Sequence, residues 1–340
     1  MNKQQSNPAN ILPVLEGITR PLWSVMIPTY NCAEQLRETL ASVLSQDPGT
    51  EVMQIEVIDD CSTKDDPEAV VAELGRGRVG FYRQPQNLGY INNFNTCLQR
   101  SRGKLIHLLH GDDCVLDSFY DKMHSLFEKY PNIGAAFCRH IFMDQQSHWQ
   151  YISSLEQLES GILNNWLEQI ASGQRLTTPS IVVQREVYEK LGGFDSRFSW
   201  TGEDWEMWVR IATKYSVGYE VKPLAAYRIA SLGSLTQVST SSGKFFHDLR
   251  LADEIIQSYL PNYIEQSVAI KASKQARETY GSWAVMKANQ IIKNGDIKTL
   301  IILIQEALKC SDSPNIVRQI IRLMMKIGVY KIKQVVQVAR

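Results

Sequence analysis

Between Leu22 and Phe142, short apolar runs alternate with stretches whose apolar residues recur every three or four positions. The runs predict buried strands and the stretches between them amphipathic helices, an alternation that predicts a doubly wound, mainly parallel sheet. Strands are read at 23–28, 54–58, 79–83, 104–109 and 135–142. After the first strand, Asn31 with Glu34 predicts an N-cap and capping box for a helix carrying Leu36, Leu40, Val43 and Leu44 on one face. Helices are also expected at 92–100 and 118–129.

The second half is less regular. A helix is expected at 161–172, a strand at 180–184, a short helix at 186–191, a loop leading into an amphipathic helix from Trp200, and a strand at 217–227. From Gly243 the pattern is helical throughout, with Trp283, Met286, Leu300, Leu303 and Ile304 on apolar faces. The expected organisation is a flexible lead over 1–20, an α/β domain over 21–236 and a helical extension over 243–340.

Composition adds little beyond exclusions. Lys+Arg and Asp+Glu number 36 each, so overall charge favours no nucleic-acid partner. The balance is local only: Arg318, Arg322, Lys326, Lys331, Lys333 and Arg340 follow Pro314 with no acidic residue among them. The 6 cysteines are scattered without a CxxC pair, and the first residues carry no apolar signal segment. No apolar run approaches the roughly 18 residues of a membrane-spanning helix. Together these predict a cytoplasmic protein with reduced thiols, peripheral at most on the inner face of the plasma membrane.

The candidate chemistry lies where strands end. The run from Lys104 closes in His110-Gly111-Asp112-Asp113, two adjacent carboxylates at the mouth of a buried strand. Such a pair suits a hard divalent cation, which takes oxygen donors and leaves positions for phosphate oxygens. Other strand ends carry Pro28-Thr29-Tyr30-Asn31, Asp59-Asp60 and Asn87-Leu88-Gly89. In a parallel sheet these ends share one rim, which suits a nucleoside diphosphate with its metal. Asp60 is then an acceptor for a base edge or ribose, and Asp112 holds the cation across the phosphates. No GxxxxGK[ST] loop occurs and no GxGxxG joins a strand to a following helix, since Gly75-Arg-Gly-Arg-Val-Gly80 leads into a strand instead; the first strand also lacks the Gly-rich basic loop of a nucleotidyltransferase.

Six motifs occur in order: Ser24-Val-Met-Ile-Pro-Thr-Tyr-Asn31, Val57-Ile-Asp-Asp-Cys-Ser-Thr63, Asn87-Leu-Gly89, His110-Gly-Asp-Asp113, Gly192-Gly-Phe-Asp195 and Gly202-Glu-Asp-Trp205. From about Leu22 to Thr236 the chain resembles the family-2 glycosyltransferases, inverting enzymes of the GT-A fold. The resemblance implies a GT-A type, Rossmann-like, mixed but mainly parallel sheet flanked by helices, with a donor half over about 21–115 and an acceptor half over about 116–236. It implies a nucleotide-sugar donor, UDP-linked in the usual case, and a saccharide or lipid-linked acceptor in bacterial surface polysaccharide or glycolipid synthesis. It also implies Mn2+ or Mg2+ as cofactor.

Carried over by position, Thr29, Asn31 and Asp60 contact base and ribose, with Pro28, Tyr30, Asn87 and Gly89 completing the donor side. Asp112 is the metal-binding Asp, and Asp113 reaches metal, sugar or phosphates. Asp204 is the general base, and Glu203 lies beside it near the acceptor. Asp204 also reads as a first-turn acid of the helix that follows. Trp200 and Trp205 are the aromatic candidates for the acceptor, although Trp205 and Trp208 are also spaced as core residues.

Three departures bear on activity. His110 stands where the family has the first Asp of Asp-x-Asp, Asn93-Phe94-Asn95 where it has Ala-Arg-Asn, and Ile229-Ala230-Ser231 where a His follows Tyr-Arg. They keep open an alternative, a catalytically impaired nucleotide-sugar-binding or scaffold protein of the same fold. The basic C-terminal helix also reads two ways: as a peripheral membrane contact, or as a helix packed on the protein with a solvated charged face.

Overall fold

Every residue of β1 (Trp23–Thr29) is buried, and its two sheet neighbours are parallel to it. β2 (Met53–Asp59) runs in register from Trp23↔Met53 to Thr29↔Asp59, and β4 (Leu105–Leu108) from Trp23↔Leu105 to Met26↔Leu108. β3 (Gly80–Arg83) adds a fourth parallel strand outside β2. In this computed structural model, residues 8–229, 235–292 and 296–338 are described, the side chains of 235–237 and 328–338 excepted.

The sheet continues through β5 (Cys114–Val115), β6 (Ile133–Met143), β7 (Trp149–Ile152), β8 (Gly161–Ile162), β9 (Ile181–Gln184) and β10 (Ser216–Arg228). Its order is β3-β2-β1-β4-β9-β6-β10-β5, with β7 on β6 and β8 on β10. β9 is antiparallel to both β4 and β6, and β10 is parallel to β6. The carboxyl ends of β1 to β4, β6 and β10 therefore lie along one edge. The fold is a mixed α/β architecture with a mostly parallel central sheet flanked by helices, as the alternation predicted.

Helices α1 (Ala33–Leu44), α2 (Pro67–Gly75), α3 (Tyr90–Arg100) and α4 (Phe119–Lys129) connect the early strands. α1 buries Leu36, Leu40 and Val43 in one core with Val25, Ile27, Ile55 and Val57. The capping box expected at Asn31 and Glu34 does not form. Cys32 occupies the cap position without a side-chain hydrogen bond, and Asp65 accepts from the Ala33 N–H at 2.7 Å instead. The expected helix at 161–172 is also corrected: 161–162 form β8, and only α5 (Trp166–Ala171) is helical. β5, β7 and β8 were missed; they are two or four residues long, too short for a period to register.

The later helices are α6 (Arg185–Leu191), α7 (Glu203–Ala212), α8 (Leu235–Ser241), α9 (Lys244–Tyr259), α10 (Gln266–Ile291), α11 (Ile297–Cys310) and α12 (Pro314–Val338). The chain forms two compact units. One extends to Leu167 and includes Arg175–Ser199 and Met207–Ser231; the other holds Glu168–Gln174, Trp200–Glu206 and the chain from Leu232. The second unit thus takes two short segments from within the expected α/β domain.

In the second unit α10 contributes small buried residues, among them Ala272, Ala276, Ala284 and Ala288. A Cβ on Gly281 would lie 3.2 Å from the Ala307 carbonyl, so α10 and α11 are in close contact there. Leu300 and Leu303 are buried as expected, whereas Trp283 and Met286 are exposed. Asn315 bonds Glu278, Gln319 bonds Ser282 and Lys326 bonds Asn289, so α10 and α12 run in the same direction. Among the described residues no helix is long and apolar enough to cross a membrane.

The N-terminal lead is docked over its described part. Ile11 is 1% exposed, the Gly193 N–H donates to the Ala9 carbonyl, and Arg185 donates to the Leu12 carbonyl. Residues 1–7 of that lead, Ala230 and Ser231 of the third departure, and the side chains of Lys331, Lys333 and Arg340 lie outside the described residues.

Arg185 is the buried charge that ties these parts together. Its guanidinium also donates to the Leu98 carbonyl and Ser101 Oγ, with Glu189 Oε1 2.9 Å from Nε. Arg185→Met should lower unfolding free energy by about 3 kcal/mol in urea titration, because it leaves buried acceptors without their donor. A loss below about 1 kcal/mol would show that the lead and α3 do not depend on it.

Candidate active site

The rim is stitched by backbone bonds across three strands. The Asp60 N–H donates to the Thr29 carbonyl at 2.9 Å, Leu109 N–H to Met26 at 3.0 Å, and Gly111 N–H to Pro28 at 3.0 Å. A Cβ on Gly111 would sit 2.6 Å from Thr29 Oγ1 and 3.2 Å from the Pro28 carbonyl. Only glycine allows this approach, which brings the acidic turn against the end of β1. Thr29 Oγ1 is buried there without a hydrogen-bond partner.

The loops beyond β1 and β2 hold each other. Asn31 has φ of 51°. Its N–H donates to Ser62 Oγ, and its Oδ1 accepts from the Thr63 and Lys64 N–H groups. Asp59, fully buried, accepts from Ser62 and from Arg83 Nε at 2.7 Å. Pro28 is buried and Tyr30 is exposed.

Asp60, read as an acceptor for base or ribose, is engaged within the protein through both oxygens. Oδ1 accepts from Leu88 N–H at 2.8 Å and Oδ2 from Gly89 N–H at 3.0 Å, while Asn87 Nδ2 donates to the Asp60 carbonyl. Burial nevertheless raises the Asp60 carboxyl above its ordinary pKa. Gly89 takes φ of 82° at the start of α3, which lets its N–H turn back toward Asp60.

The acidic turn is anchored by a residue that the sequence reading passed over, Arg228 at the end of β10. Its N–H donates to Asp113 Oδ1 at 2.8 Å and its Nε to the Asp112 carbonyl at 2.8 Å. The same guanidinium donates to the Asp144 carbonyl, Ser147 Oγ and Glu38 Oε2. Ser147 and Arg228 together hold the Glu38 carboxyl below its ordinary range. A signal was available: an Arg closing a long apolar strand that ends on the same rim.

His110, Asp112 and Asp113 each offer a ligand atom, all within 4.8 Å of one another. Asp113 Oδ2 is buried and accepts no hydrogen bond, with His110 Nδ1 3.4 Å away. Burial, and then the neighbouring Asp113 charge, push the Asp112 carboxyl up to about 6. A buried carboxylate oxygen without a donor, beside a second carboxylate that resists ionising, is the electrostatic condition that a cation relieves. The donor set of two carboxylates and one imidazole fits a divalent metal.

The departures have local structural partners. The His110 ring stacks on Phe94, with centroids 5.0 Å apart and planes 18° from parallel. Asn93 Nδ2 donates to the Ile58 carbonyl, and Asn95 makes a reciprocal pair with the Phe194 backbone. That pair accounts for part of the Gly192–Asp195 motif, whose Asp195 is bound to Arg197.

The remaining candidates belong to the second unit. Glu203 is buried and Asp204 half-buried, both in the first turn of α7. Asp204 Oδ2 accepts from Gln174 Nε2 at 2.6 Å, and Oδ1 from the Trp205 N–H at 2.7 Å. Trp205 is fully buried, donates to the Ile170 carbonyl and meets Tyr280 edge to face. As an acceptor-stacking residue Trp205 is therefore corrected to a core residue. Trp200 is half-buried, its N–H bound to Asp248 and its ring 4.4 Å beneath the Lys244 ammonium.

Comparison with known proteins bears on the family and the fold. An uncharacterised protein of Mycobacterium tuberculosis is 26% identical over 271 residues, covering 74% of this chain and 81% of its own. An uncharacterised glycosyltransferase of Rickettsia prowazekii is 27% identical over 221 residues, covering 63% of this chain and 66% of its own. Among solved structures, S. aureus TarS 1-349 in complex with UDP-GlcNAc has a similar fold, with a TM-score of 0.63 at 14% identity, over 85% of this chain and 81% of that one. Residues 24–192 match Glycosyl transferase family 2, the family to which this chain belongs.

Proposed function

We propose that this protein transfers a sugar from a nucleoside-diphosphate donor, a UDP-sugar, to a hydroxyl of a saccharide or lipid-linked acceptor. The transfer inverts the anomeric centre and serves surface polysaccharide or glycolipid assembly. The observation that carries the reading is the buried Asp113 Oδ2 without a donor, set beside Asp112 and His110 on the rim formed by β1, β2 and β4. The UDP-GlcNAc bound by TarS supports a uridine donor. A lipid-linked acceptor brings the protein to a membrane face, in keeping with its basic C-terminal helix.

Asp112 and Asp113, with His110, would hold Mn2+ or Mg2+. When bound, such a cation would supply positive charge for a departing diphosphate, worth several kcal/mol of barrier to order of magnitude. Thr29, Asn31 and the Asn87–Gly89 turn shape the nucleotide end, with Pro28 and Tyr30 beside them and Asp60 fixing the turn. Asp204 takes the proton of the acceptor hydroxyl, which attacks the anomeric carbon as the bond to the diphosphate oxygen breaks. Gln174 orients that carboxylate, and Glu203 supports it from the preceding position. The assignment of the base rests on the motif Gly202-Glu-Asp-Trp205 and on this local geometry.

His110 and Phe94, standing where the family has acidic and basic residues, favour a second reading: a nucleotide-sugar-binding protein with little turnover. Donor turnover by wild type and Asp204→Asn separates the two. A functional base predicts a roughly 10²- to 10⁴-fold fall in kcat with nucleotide affinity retained. Equal, negligible turnover with intact nucleotide binding would overturn the transferase reading.

Asp112→Asn should stabilise the protein in the presence of a chelator. Because the folded Asp112 carboxyl titrates near pH 6, above its unfolded value, its ionisation opposes folding as pH rises. The gain, about 1–2 kcal/mol after allowance for partial exposure, is present above pH 6 and disappears as pH falls toward 4. Denaturant melts at both ends of that window check it. A gain that is independent of pH would refute the strained-carboxylate account.

A further inference from the structure

Helix α12 carries two apolar sectors side by side. Ile316, Ile320, Leu323 and Ile327 recur every three or four residues, and all are buried or half-buried. Val317, Ile321, Met324 and Met325 form the next sector and are exposed, at 39%, 52%, 55% and 59%. A helix needs one apolar face to join a bundle. The second therefore has no partner within the chain, among the described residues.

Alongside it lie Arg318, Arg322 and Lys326, four residues apart and all exposed. None is paired with a carboxylate among the described residues. The sequence from Pro314 to Arg340 contains no acidic residue. The helix also outruns its neighbour. Lys326 lies level with Asn289, while α10 ends at Ile291 and α12 continues to Val338.

We propose that this exposed face of α12 is an in-plane docking surface for an anionic lipid bilayer. Ile321, Met324 and Met325 sink between the headgroups, and Arg318, Arg322 and Lys326 bind lipid phosphates. The charge pattern selects this occupant over a second copy of the chain. Two α12 faces paired antiparallel would set their basic stripes side by side, and in either orientation neither helix offers a carboxylate to offset the charge. An anionic surface offers the opposite charge along the whole stripe. Among the described residues no helix is long and apolar enough to cross a membrane, and the proposed contact is a peripheral one. The proposal extends the lipid-linked acceptor reading but does not need the donor site to work.

The test is co-sedimentation of the full chain with vesicles of phosphatidylcholine alone and of phosphatidylcholine mixed with phosphatidylglycerol. Binding should require phosphatidylglycerol and weaken with added salt. Arg318→Gln and Arg322→Gln should each lower the partition coefficient about fivefold. Ile321→Glu/Met325→Glu should reduce it further, with thermal stability unchanged because both residues are exposed. UDP affinity, measured on the same variants, should stay at the wild-type value. Loss of UDP binding in wild type would defeat the donor reading and leave the vesicle result standing. Absence of binding to either vesicle, or equal binding to both, would overturn the proposal. So would a dimer in light scattering that Ile321→Glu converts to monomer, since the face would then belong to a second copy.

Discussion

A buried guanidinium sets the geometry on which the candidate site depends. Arg228, its side chain 2% exposed, binds the Asp112 carbonyl, the 144–147 turn and Glu38, while its own N–H holds Asp113. Only a planar, permanently charged fork can reach that many acceptors with so little freedom lost. The arrangement is possible because β10 is parallel to β6 and ends on the same edge as β4. Two carboxylates adjacent in sequence would otherwise separate to relieve their repulsion. Fixed as they are, one oxygen of Asp113 remains buried without a donor, and Asp112 resists losing its proton. The uncompensated charge at this turn is the condition that a bound cation would relieve.

The early half of the sheet was legible because each strand is an uninterrupted apolar run and each helix repeats its apolar residues on one face. The parallel order then followed, and with it the shared rim. What failed was local and short. β5, β7 and β8 have too few residues to show a period, and β9 runs antiparallel because of its partners, not its composition. Asn31 has the side chain of an N-cap but sits at positive φ, where its oxygen serves the 63–64 backbone instead. Asp65, from a distant loop, caps the helix in its place, a tertiary choice that no local motif announces.

The candidate chemistry was legible as residue types, less so as roles. Asp112 and Asp113 do meet His110, as their neighbourhood in sequence requires. Asp60 and Asn31, expected to face a ligand, are also the braces of their own loops. Trp205 was legible as aromatic, but its burial against Tyr280 depends on a residue 75 positions later in the chain. Arg228 was missed because its importance comes from where β10 ends, which only topology reveals.

The most direct measurement is the electron paramagnetic resonance spectrum of Mn2+ titrated into the protein, with and without UDP. Depletion of the free-ion signal, enhanced by UDP and abolished in Asp112→Asn, is the result expected if the turn held by Arg228 is the cation-dependent nucleotide site. A free-ion signal that UDP leaves unchanged, or binding that Asp112→Asn retains in full, would contradict that account.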